Sequence, residues 1–137
     1  MEKTALGTEW TLLQNQFDSY EKHSLYIKLL SVITLVFTQA VNFSSDGFIV
    51  IILFVFWLQD AIWKTFQSRI EPRLFQLEQA IRQNKEAPAF QFNSEYQKVS
   101  VRGAALLVEY CRQAIRPTIA FPHIVLIAVA FYLNLFN

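Results

Sequence analysis

Three ionisable residues stand where a chain with long uncharged runs would not be expected to keep them. Asp60 is the only charged residue between Gly47 and Trp63, His123 lies inside a run from Pro117 to Asn137 that has no Lys, Arg, Asp or Glu, and Lys28 opens a third run, Leu29 to Ser45. If each run is a helix, Asp60 sits about 9 Å inward from Phe66 and His123 about 9 Å inward from Pro117, at 1.5 Å per residue. Lys28 enters from the same side, so the three groups fall in one layer. Pairing of Asp60 with Lys28 or His123 would neutralise a carboxylate that is expensive in an apolar medium. The alternative is a lysine whose ammonium reaches outward to water and an aspartate, beside Gln59, that is merely interfacial.

A second pattern lies along Lys28, Ser31, Thr34, Thr38 and Asn42, spaced three, three, four and four, which places them on one face of a helix otherwise filled by Leu, Ile, Val and Phe. Hydroxyl and amide groups on one face of a membrane helix either let helices pack and hydrogen-bond or line a wet path for ions. Arg102, Arg112 and Arg116 form a third group, suited to anionic lipid headgroups or to fixing topology. Covalent catalysis and metal chemistry find little support. Cys111 and His123 are twelve residues apart, roughly 18 Å along a continuous helix, too far for a nucleophile and its base. There is no HExxH, no glycine-rich phosphate loop among three glycines, and no metal-ligand spacing. The reading is a non-enzyme without cofactor or metal.

The elements that hold these residues follow from charge segregation. The chain has 137 residues, 53% apolar and 17% charged, against roughly 25% charged in an ordinary globular domain. The three uncharged or nearly uncharged runs approach the ~20 helical residues that cross a hydrocarbon core. They predict an all-α integral membrane protein forming a single domain, with spans over 27–45, 47–66 and 117–136. An amphipathic helix over 8–26 precedes them, its face formed by Trp10, Leu13, Phe17 and Tyr20. No Gly or Pro separates it from the first span, so 9–43 reads as nearly continuous helix. The 69–116 segment predicts a helical hairpin: one helix over 69–84, opened by a Ser68/Glu71 capping box before Pro72, and another over 95–116, opened by Ser94/Gln97.

The twelve Lys and Arg all lie before the first span, at its start, or between the second and third. The positive-inside rule then puts the N-terminus and 69–116 in the cytoplasm and the C-terminus opposite, with a cell inner membrane as the default. A net charge of +1 offers no nucleic-acid footprint. Three spans enclose no cavity, so a transmembrane path would need a homo-oligomer with the Lys28 to Asn42 face on its axis. That pore or channel is the leading expectation. Its alternatives are a non-conducting adaptor or scaffold that recruits a protein partner through 69–116, and a membrane-permeabilising effector. All three have the lipid bilayer as a partner and are compatible with self-association.

Overall fold

A computed structural model describes residues 2–41, 47–85 and 87–136. Among them the regular structure is entirely helical: α1 (Glu2–Ala40), α2 (Phe48–Gln83), α3 (Phe92–Val99), α4 (Ala104–Ala114) and α5 (Pro117–Phe136). Three of these, α1, α2 and α5, are long and apolar enough to cross a membrane.

The first amphipathic segment and the first span are one helix. Leu6, Glu9, Leu13, Ser24, Ser31, Leu35 and Thr38 are all buried, and with half-buried Phe17, Tyr20 and Lys28 they recur in steps of three and four along one face, the spacing that keeps a helix turned toward a neighbour. The neighbour is α2, which runs antiparallel to α1. At the polar end Leu6 and Leu13 pack with Ile70, Leu74, Leu77 and Ala80. At the apolar end Leu35 and Leu53 pack with Ala130 of α5.

Helix α2 also continues past its expected boundary. The capping box at Ser68 opens no new helix; α2 runs through Pro72 to Gln83. Proline removes the N–H that would bond the Ser68 carbonyl, yet the flanking residues Arg69, Ile70, Arg73 and Leu74 are buried, so packing on both sides of the proline holds the helix together. Its end is a Schellman motif: Asn84 is left-handed at φ 56, its N–H bonds the Ile81 carbonyl, and the Lys85 N–H bonds that of Ala80.

The helix expected over 95–116 is two helices. Ser100 is extended, with ψ 133, and Gly103 has φ 62 and ψ −137, a conformation open essentially to glycine alone. The apolar spacing through Tyr96, Val99, Gly103 and Leu106 carries on across this break, which is why periodicity alone reads one helix there.

Candidate functional site

The ionisable residues of the three apolar helices meet in the middle of the bundle. Asp60 of α2 and His123 of α5 have no exposed side-chain surface, and His123 Nε2 lies 3.2 Å from Asp60 Oδ2. From α1, Lys28 Nζ approaches the same oxygen at 3.6 Å and donates to Ser24 Oγ at 3.1 Å. An ionised carboxylate only accepts, so with Asp60 ionised the imidazole donates from Nε2–H, and in the neutral ring Nδ1 is then the acceptor. Asp60 Oδ1 and His123 Nδ1 are buried and make no hydrogen bond within the described chain. The Trp57 ring stacks on that of His123, with centroids 6.5 Å apart and planes 13° from parallel. The cluster therefore links α1, α2 and α5 through one carboxylate, with an aromatic cover on one side.

Trp57 has a second role. Its Nε1–H donates to the Ala114 carbonyl at 3.1 Å, one of the terminal carbonyls of α4 that lack a helical partner. Pro117, the first residue of α5, has no N–H to continue the pattern, and Trp57 fixes the junction where the helix breaks. No protein-family model, curated protein or solved structure matches this chain.

The polar stripe on α1 turns inward. Ser31 and Thr38 are buried and Thr34 is half-buried. Each hydroxyl donates to a carbonyl of its own helix: Ser31 to Ile27, Thr34 to Leu30 and Thr38 to Leu35, all at 2.8 Å. Asn42, the last of the stripe, lies outside the described residues. The outward face of α1 carries Leu29, Leu30, Ile33, Val36 and Phe37 instead. Gln59 is exposed. Arg102, Arg112 and Arg116 are exposed on the α4 side of the molecule, and Arg116 Nη1 reaches Gln113 Oε1 at 3.1 Å. Cys111 is exposed on α4. Among the described residues, no group of three or more His, Cys, Asp or Glu side chains could hold a metal ion.

Sequence reasoning missed three polar junctions. Arg73 of α2 holds Glu9 of α1 in a two-pronged pair, Nε to Oε1 at 2.9 Å and Nη2 to Oε2 at 3.0 Å. Arg73 also donates to the Pro88 carbonyl at 3.0 Å, and the Phe90 N–H donates to the Glu9 carboxylate. Arg69 holds Glu109 of α4 at 2.6 Å and Tyr96 of α3 at 3.0 Å. Its hydrogen bonds to Glu109 raise the guanidinium's proton affinity, outweighing the effect of burial. Nearer the ionisable layer, Glu21 accepts from Lys64 and from Gln67; these bonds hold its carboxyl below the usual carboxylate range. A signal for the first junction existed. Glu9 interrupts the apolar face of α1 between Leu6 and Leu13, and Arg73 interrupts that of α2 between Ile70 and Leu77, so opposite charges stand on two faces that must meet.

Proposed function

We propose that this chain is a small, non-conducting multi-pass membrane adaptor. The observation that carries the reading is the inward turn of the α1 stripe: Ser31 and Thr38 are buried against other helices of the same chain, with their hydroxyls committed to their own backbone. A conduit on a symmetry axis needs polar groups on an outer face, and the outer faces of the apolar helices carry Ile33, Phe37, Ile51, Val55, Ile124 and Phe131. The intramembrane charges are likewise consumed within one chain, so the cluster acts as a staple between helices.

The other half of the reading rests on the polar end. There α1 and α2 extend together beyond the apolar core, braced by Glu9–Arg73 and carrying α3 and α4 through Arg69–Glu109. Such a rigid, well-tied set of helices suits recruitment of a protein partner. Lys and Arg concentrate at this end, which by the positive-inside rule faces the cytoplasm of a cell whose inner membrane holds the protein. The test has two arms. Purified protein in planar bilayers is expected to be electrically silent; a steady conductance altered by Thr38→Val or Asp60→Asn overturns the reading in favour of an oligomeric pore. Site-specific crosslinkers placed in 69–116 in cells are expected to trap one heterologous protein in fixed stoichiometry, and recovery of self-crosslinked product alone counts against an adaptor.

A further inference from the structure

We infer that α4 is an interfacial helix, laid on an anionic phospholipid surface through Leu107, Val108, Cys111 and Ile115, with Arg112 and Arg116 on the phosphates. Along α4 these four apolar residues fall on one face about 100° wide. That face points away from the bundle: Leu107, Val108 and Ile115 are 63%, 60% and 74% exposed, while Gln113 on the other side is buried. Apolar side chains left so open need a cover.

Three observations make that cover lipid. The end of α4 is tied to the apolar part of α2, because Trp57 holds the Ala114 carbonyl; α4 thus ends beside the segment long and apolar enough to cross a bilayer. Exposed apolar side chains stand on both sides of the junction, Ile115 before it and Phe121 on α5, which is 71% exposed. Finally, the flank of the face is cationic. Arg112 and Arg116 lie one turn apart and exposed beside it, whereas Glu109, the one acidic residue of α4, is occupied by Arg69. An apolar face with an arginine border, directly before the apolar helix α5 that starts at Pro117, matches the acyl–headgroup boundary.

This inference rests on the chain being a membrane protein but not on its having a protein partner. Cys111, the single cysteine, lies on the inferred contact face and takes an environment-sensitive fluorophore. The full chain is reconstituted in bilayers of phosphatidylcholine with and without phosphatidylglycerol. The expected result is blue-shifted emission, quenching by shallow doxyl-labelled lipid and protection from aqueous iodide, all stronger with phosphatidylglycerol; Arg112→Gln with Arg116→Gln removes that dependence on lipid charge. Two relocated labels in a Cys111→Ser background serve as references: Asn93→Cys on α3 for water, and Val125→Cys on α5 for lipid. Full iodide quenching at Cys111 with lipid quenching at Val125→Cys overturns the inference alone, and so does blue-shifted emission without lipid quenching, which would mean that protein covers the face. Loss of lipid quenching at both positions overturns the membrane reading itself.

Discussion

Replacing Asp60 with alanine tests the Lys28–Asp60–His123 staple most directly. Asp60 is buried, with His123 at 3.2 Å and Lys28 at 3.6 Å. At that separation and an effective dielectric of 20, the attraction of Lys28 for the carboxylate is about 5 kcal/mol before desolvation. Lys28 keeps 23% of its side-chain surface exposed, so it can turn toward water when its partner is lost, and only part of that figure should be felt. His123 has no such escape, and an unpaired buried N–H costs roughly 1–3 kcal/mol. Together these put the loss at about 3 kcal/mol, at the lower edge of what breaking a buried pair usually costs. Reversible unfolding in mixed dodecylmaltoside and SDS micelles measures it. The decisive comparison is the cycle with Lys28→Met. Asp60→Ala combined with Lys28→Met removes both charges and should recover much of the single-variant loss, giving a coupling of roughly 0.5–3 kcal/mol. A change below about 0.5 kcal/mol for Asp60→Ala, or strictly additive single variants, would refute the reasoning.

At the polar end, Glu9→Leu strands Arg73, which is only 7% exposed, and should destabilise by roughly 3–5 kcal/mol; hydrogen exchange is expected to accelerate first in 2–20 and 84–92. Gly103→Ala meets no atom within 4 Å, so its penalty is backbone strain alone at φ 62, roughly 1–3 kcal/mol; thermal unfolding that leaves the midpoint unchanged would show that the turn is not required. Glu21 supplies a pH dependence with a definite sign. Its folded carboxyl lies below the ordinary 4.5, so its contribution is whole above that value and is lost as pH falls through the lower folded value. Because Glu21 is largely exposed, the effect should stay under about 1 kcal/mol, and Glu21→Gln should abolish it in acid titrations of stability.

Which features could be read from the residues depends on how far apart their partners stand. The three long apolar helices were legible because charge is segregated run by run, and the continuity of α1 followed from the lack of any breaker between Thr8 and Ser45. The layer of Lys28, Asp60 and His123 was legible as well, since depth along a helix is simple counting. Direction was harder. Spacing put Ser31, Thr34 and Thr38 on one face but held no information on whether that face meets its own chain, another copy or water; only the antiparallel register with α2 decides it. Pro72 and Ser68 have the chemistry of a helix start, overridden by tertiary burial of Arg69, Ile70, Arg73 and Leu74. Gly103 sits in a helical pattern of apolar residues, and one glycine at positive φ does not disturb such a pattern. The pairs Glu9–Arg73 and Arg69–Glu109 join residues 64 and 40 positions apart, beyond the reach of any local signal, although charges interrupting two apolar faces hinted at the first.

The unbroken length of α1 and α2 has a mechanical consequence. With 39 and 36 residues they measure about 58 and 54 Å, some 25 Å longer than a hydrocarbon core of roughly 30 Å. With Pro72 of α2 held by packing of its neighbours on both sides, a change of tilt of the pair, were it embedded in a bilayer, would reach the tip, where a swing of about 10° displaces the far end by about 4 Å over that length. On the proposed membrane reading, bilayer thickness would thereby set the position of the polar end.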